Sequence, residues 1–171
     1  DLADASAIVV PGVGNFEATK ALDENWTRVL REKIDRGTPV LGICLGLQWL
    51  FDGSDEANGI SGLGMMPGTC SLIKGFTQKN GKEPLKVPHV GWNSLNFKRR
   101  SWILNGVNDG DQVYFTHSFA APVTPDCVAS TQYGVEFASI VERDHVVGVQ
   151  FHPEKSSDVG LTILRNFLSK G

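Results

Sequence analysis

The sequence predicts an α/β fold: an open, mostly parallel sheet flanked by helices, with an added region of antiparallel strands. Two observations carry this. The first third alternates short apolar runs with a longer stretch of four-residue apolar spacing, the pattern of buried parallel strands joined by helices. The later chain holds several short strand-like segments separated by turn residues, as antiparallel strands do. With 171 residues, the whole chain 1–171 reads as one domain. Apolar residues at 41% and charged residues at 20% are an ordinary globular balance.

Residues 7–10 (AIVV) form the first buried run, stopped by Pro11-Gly12. Across 15–36, Leu22, Trp26, Leu30 and Ile34 recur every four residues, with Val29 beside them. That is one face of an amphipathic helix, and Gly37 ends it. Residues 39–43 make a second buried strand, and 45–51 a helix directly after it. Residues 52–68 read as loop, and Asn80-Gly81 as a hairpin turn. Strands are expected at 86–90, 112–118, 127–133, 137–142 and 145–151, with Arg143-Asp144 turning between the last two. Over 158–170, Leu161, Leu164, Phe167 and Leu168 share one helical face behind Ser157 as N-cap.

Sixteen Lys+Arg against nineteen Asp+Glu give a net charge of −3, which offers no footprint for nucleic acid or an anionic membrane. No apolar run approaches the ~18 residues of a membrane span. Three cysteines, Cys44, Cys70 and Cys127, are too few and odd in number for a disulfide framework, and fit a reducing, cytoplasmic setting. No close His/Cys cluster suggests a metal, and no glycine pattern suggests a nucleotide cofactor. The chain opens at Asp1 and runs almost at once into an apolar strand, so it reads as a fragment of a longer parent.

The strongest chemical signal is Gly42-Ile43-Cys44-Leu45-Gly46. A buried strand meets a nucleophile flanked by glycines and runs straight into a helix, the layout of a nucleophile elbow. Helix N-terminal N–H groups beneath the sulfur would favour thiolate, and the Leu45 N–H could face a developing oxyanion. The same residues also suit a plain buried cysteine in a strand-to-helix turn. A second signal is Gln150-Phe151-His152-Pro153-Glu154-Lys155. His152 and Glu154, two apart, can point the same way in an extended segment and act as base and orienter, or His152 can be an ordinary surface histidine. Pro11-Gly12-Val13-Gly14 is a strand-end loop whose glycines let N–H groups approach a ligand or flip, and is also a common tight turn.

Together, GICLGLQ, QFHPEKS and PGVG resemble class I glutamine amidotransferases, glutaminase domains with a Cys–His–Glu triad on an open α/β sheet. PGVG, the segment His89-Val90-Gly91-Trp92-Asn93 and HPEKS look like the branch that serves imidazole glycerol phosphate synthase in histidine biosynthesis. The resemblance covers nearly the whole chain. That family usually opens with a further strand, helix and strand, which this sequence lacks.

The resemblance implies that Cys44 attacks the carboxamide of glutamine, His152 moves the proton and Glu154 orients His152. It implies an oxyanion hole from the Leu45 N–H and, after a peptide flip, the Val13 N–H. Gly12, Gly14, Gly46, Gln48, Glu56, His117 and Ser118 would lie near the substrate. Glu56 would meet the substrate ammonium or be a solvated loop acid, and His117 would serve structure more than chemistry. The implied partner is a (β/α)8-barrel cyclase, separate or fused, that uses the ammonia to make imidazole glycerol phosphate and AICAR. Trp92, Asn93, Tyr114 and Lys155 would face it. Competing expectations are another class I branch, serving aminodeoxychorismate or GMP synthesis, and a catalytically silent docking module.

Overall fold

A computed structural model describes residues 2–74 and 85–170. The expected Asn80-Gly81 turn lies outside these residues. In chain order the elements are β1 (Ile8–Gly12), α1 (Glu24–Asp35), β2 (Val40–Cys44), α2 (Leu45–Trp49), β3 (Gly53–Ser54) and β4 (Thr69–Leu72). They continue with β5 (His89–Ser94), β6 (Asn96–Phe97), β7 (Gln112–His117), β8 (Phe119–Ala120) and β9 (Cys127–Tyr133). The last are β10 (Val135–Arg143), β11 (Val146–Val149) and α3 (Ser157–Leu168).

The α/β class holds, with the expected antiparallel region, and the main sheet is mixed. Its order is β1-β2-β11-β10-β9-β6. β2 pairs in parallel with β1 and β11, and the sheet is antiparallel from β11 outward. β11 is the junction: it leaves β10 through a tight hairpin yet runs alongside β2. Successive side chains of β2 serve opposite faces. Val40 enters the core under α1 and α2, and Leu41 enters the core with Phe115, Phe151, Ile163 and Phe167. β5 and β7 form a separate antiparallel pair.

Several boundaries move for identifiable reasons. Pro11 and Gly12 lie within β1 rather than stopping it. β1 is an edge of the described sheet, where proline is tolerated. The expected helix over 15–36 is split. Phe16–Ala21 form a 3-10 turn, and α1 restarts behind Asp23, whose carboxylate accepts the Trp26 N–H at 2.8 Å. A strong N-cap in mid-pattern overrides continuous apolar spacing. β5 begins at His89, where the strand expected at 86–90 was nearly over. The last hairpin turns at Asp144-His145, not Arg143-Asp144. Arg143 still pairs with Val146, and Asp144 takes φ +56°, which aspartate tolerates better than most residues.

α3 starts at Ser157, with Ser156 before it. Ser156 does not cap the helix. Its hydroxyl donates to the His152 carbonyl at 2.6 Å and accepts the Tyr114 N–H at 3.0 Å. The buried face is Gly160, Ile163 and Phe167, while Leu161 and Leu168 are exposed. Gly160 sets this rotation: a Cβ there would lie 2.0 Å from the Pro153 carbonyl oxygen, so its face is pressed against the 3-10 turn Pro153–Lys155.

Candidate active site

β2 ends at Cys44 with φ +54°, and α2 begins at the next residue. A non-glycine residue in this region carries backbone strain, which collects at functional sites. The flanking glycines make the turn possible. A Cβ on Gly42 would lie 2.6 Å from the Gly46 carbonyl oxygen, and one on Gly46 would lie 1.9 Å from that of Val10. The elbow is closed by backbone against backbone. Gly46 therefore packs beneath the site, between α2 and β1, and does not face the cleft as expected of a substrate neighbour.

The cleft beside Cys44 has a volume of about 330 Å³. Val13, Gly14, Leu45, Gln48, Glu56, His117 and Ser118 reach it, so most of the expected substrate neighbours gather there. Gly12 does not. It sits in β1 opposite Cys44, where a Cβ would meet Leu45 Cβ at 2.9 Å. Of the two glycines around the exposed Val13, the conformational freedom belongs to Gly14, at φ +106° with open space around it.

The sulfur of Cys44 accepts from Gln150 Nε2 at 3.7 Å, and the adjacent Leu45 backbone N–H favours its charged form. Burial pushes the thiol up to about 11. The Leu45 and Gln150 hydrogen bonds oppose this, and the charges of Glu154 and Glu56 add to it. The expectation that the helix N-terminus would favour thiolate is corrected here. α2 has only five residues, and desolvation outweighs its N–H groups.

β11 lies beside β2, with Val149 opposite Ile43, and the chain then leaves the sheet to place His152 next to the elbow. The His152 backbone N–H donates to the Tyr114 carbonyl at 2.9 Å. Its ring Nδ1 contacts Glu154 Oε1 at 2.8 Å, and its Nε2 is buried without a hydrogen-bond partner among the described residues. An Nδ1–H donated to a carboxylate leaves Nε2 as the acceptor, the tautomer a general base needs. No direct Cys44–His152 hydrogen bond is formed. His152, Glu154, Lys155 and Gly12 line a second depression, and Val13 borders both. Such bonds are often long before substrate binds.

Gln48 is buried, and its Nε2 donates to the Phe119 carbonyl at 2.9 Å and to Gln150 Oε1 at 3.2 Å. Glu56 is not a free loop acid, because its Oε2 accepts the Phe16 N–H at 2.7 Å. His117 is fully engaged. Its Nδ1 donates to the Phe119 carbonyl at 2.9 Å, and its Nε2 meets His89 Nδ1 at 3.1 Å. The carbonyl can only accept, so His89 Nδ1 is the donor to His117, and His89 Nε2 accepts from Asn93 at 3.3 Å. Burial holds His89 down at about 4 and His117 at about 3.

Trp92 and Tyr114 are cross-strand partners with ring centroids 6.1 Å apart, Trp92 stays half exposed, and Lys155 is exposed. Asn93 differs from the expected interface residue. Its amide is committed inward, to His89, to the Gln132 carbonyl at 3.2 Å and to the Ser94 N–H at 2.8 Å. Two residues gained no role from sequence reasoning, His89 and Gln150. The signal for Gln150 was available, since it precedes His152 by two and can share its side of an extended chain. Among the described residues, no group of His, Cys, Asp or Glu could hold a metal ion, and no helix is long and apolar enough to cross a membrane.

The class-I glutamine amidotransferase family matches residues 2–170. A relative named imidazole glycerol phosphate synthase subunit HisH, from Geobacillus kaustophilus (strain HTA426), is 46% identical over 172 residues, covering 98% of this chain and 80% of the relative. The protein of the same name from Aquifex aeolicus (strain VF5) is 46% identical over 173 residues, covering 98% and 79%. The solved structure of PurLQS from Thermotoga maritima shares the fold, with a TM-score of 0.70 at 20% identity over 99% of this chain and 81% of that one. A family match along nearly the whole chain, on a fold that forms the elbow as the motif requires, means that the chain belongs to the class-I glutamine amidotransferases.

Proposed function

We propose that this chain hydrolyses glutamine to glutamate and ammonia with Cys44, His152 and Glu154, as the glutamine amidotransferase subunit of an imidazole glycerol phosphate synthase in histidine biosynthesis. The observation that carries this is the positive-φ Cys44 at the strand-to-helix elbow, beside a His152–Glu154 pair whose second ring nitrogen is buried and unengaged. Relatives named as that subunit, at 46% identity over 98% of the chain, support the branch.

The chemistry follows from the groups present. Burial favours the thiol form of Cys44, so its attack needs a base to take the proton. Sγ bonds to the carboxamide carbon while His152 Nε2 takes the thiol proton. The tetrahedral oxyanion is met by the Leu45 N–H and, after a flip of the Gly12–Val13 peptide, by the Val13 N–H. One such donor contributes roughly 3–4 kcal/mol where measured. His152 returns the proton to the departing nitrogen, ammonia leaves, and a thioester remains. Water then attacks the thioester carbon, His152 takes its proton, and glutamate leaves as the thiol reforms. Glu154 holds His152 in the required tautomer and offsets its charge when protonated.

The ammonia is delivered to a (β/α)8-barrel cyclase in the cytoplasm, across a surface that carries Trp92, Tyr114 and Lys155. The exposed Trp92, packed on the partly buried Tyr114, supports docking there as an aromatic side chain open to solvent. The three free cysteines accord with a reducing compartment. The test is Cys44→Ala in complex with the cyclase. Glutamine-dependent synthesis should vanish while synthesis from added ammonium salts continues. Retained glutamine-dependent turnover would overturn the proposal.

A further inference from the structure

We propose that Gln150 is a positioning residue for the nucleophile: its side-chain amide, oriented by Gln48, donates to the Cys44 sulfur and keeps hold of it as the proton leaves. This deepens the glutaminase proposal and rests on it only for kinetic readouts.

The direction of each bond follows from one carbonyl. The Phe119 carbonyl can only accept, so the group that Gln48 turns toward it is the amide nitrogen, at 2.9 Å. That nitrogen carries a second hydrogen, which meets Gln150 at 3.2 Å. The atom it meets must be the Gln150 oxygen. The Gln150 nitrogen is thereby turned toward the Cys44 sulfur, at 3.7 Å. Gln150 is fully buried, its own backbone N–H is held by the Ser139 carbonyl at 2.9 Å, and its amide faces the only thiol at the elbow.

The sulfur needs such a donor for a reason specific to this elbow. At rest it receives a hydrogen bond from Gln150, and the adjacent Leu45 N–H also favours its charged form. The Leu45 N–H is also the donor suited to the oxyanion. Once the tetrahedral carbon forms, that N–H has two claimants. Gln150 has one, and it stays on the sulfur through thiol, thioester and departing thiolate. A buried sulfur that gives up electron density on attack and takes it back when the thioester bond breaks is thereby stabilised at the steps where it is most negative.

The test uses the full chain and reads the sulfur directly. Iodoacetamide is added between pH 7 and 9.5, and carboxamidomethylation at Cys44 is followed by peptide mass mapping, with Cys44→Ala as the blank. Below the thiol's titration, the rate at fixed pH reports the thiolate fraction. Gln150→Met keeps the length and removes the donor. It should alkylate about three- to tenfold more slowly at every pH. Gln150→Glu, nearly isosteric, replaces the donor with a carboxylate and should be slower still. In glutamine hydrolysis both variants should lose kcat by at least the same factor, with KM unchanged. A donor with a merely structural role would lower the melting temperature and leave the alkylation rates at wild-type values, which would overturn the proposal. If the wild-type chain hydrolysed no glutamine, the alkylation comparison would still decide the role of Gln150, and only the glutaminase proposal would fail.

Discussion

His152 and His117 are both buried imidazoles near Cys44, the proposed nucleophile, and their ring nitrogens are engaged differently. His152 stands where the parallel part of the sheet ends. One ring nitrogen is bonded to Glu154 at 2.8 Å, and the other has no partner among the described residues. His117 ends β7, in the antiparallel region. Both its ring nitrogens are occupied, by the Phe119 carbonyl and by His89. Burial alone does not mark a reactive histidine. What separates the two is whether the second nitrogen already has work. The two regions differ likewise. The β1–β2–β11 side positions the proposed catalytic groups through strain and close backbone packing, whereas the β5–β7 side holds its polar groups in closed hydrogen-bond chains.

The largest break in this comparison is expected from His152→Ala. It should cost about as much as losing Cys44, on the order of 10⁴-fold or more in kcat, because members of a triad act as a unit. His117→Ala should leave kcat within about tenfold and show its effect in thermal melting, since it opens a buried hydrogen-bond chain. Steady-state glutamine hydrolysis on both variants reads the difference, and equal losses in kcat would erase the distinction. Gly46→Val is next. Its side chain would strike the Val10 carbonyl oxygen, so the fold should lose about 3 kcal/mol or more, read by denaturant unfolding. Glu154→Gln is smaller again, roughly 10²-fold in kcat. The amide oxygen can still accept from Nδ1, and Glu154 is half exposed, so solvent already screens its charge.

The most gradual effect is on stability against pH. His89 and His117 titrate in the fold at about 4 and about 3, below the ordinary histidine value of 6.5. Between pH 6.5 and 4 the unfolded chain therefore binds more protons than the folded one. Stability is full above 6.5 and is lost as pH falls through that window, by on the order of a few kcal/mol. Urea midpoints at pH 7, 5.5 and 4.5 should fall in that order, and a flat series would mean that these histidines are not held neutral.

Much of the site was legible because its signals are local. An elbow needs glycines two residues either side of the nucleophile, and a base two residues from its orienter needs only an extended chain. The proposed roles of Cys44, His152 and Glu154 rest on those rules. The state of the thiol could not be read from them, since burial by α2 and the sheet is a tertiary effect that overrides the helix terminus. The His89–His117 pair was out of reach because β5 and β7 must register before the rings meet. In the fold, element types were legible and boundaries less so. Asp23 interrupts an apolar rhythm that ran straight through it, and Gly160 turns α3 so that Leu161, expected inside, faces out.

The central claim is that Cys44 is the nucleophile toward glutamine and His152 its base. The most direct measurement is labelling by a chloroketone analogue of glutamine, with the modified residue identified by peptide mass mapping. One equivalent should add to Cys44, excess glutamine should protect it, and His152→Ala should slow the addition by at least about tenfold while His117→Ala leaves it nearly unchanged. Addition to Cys70 or Cys127, or equal rates in the two histidine variants, would contradict it.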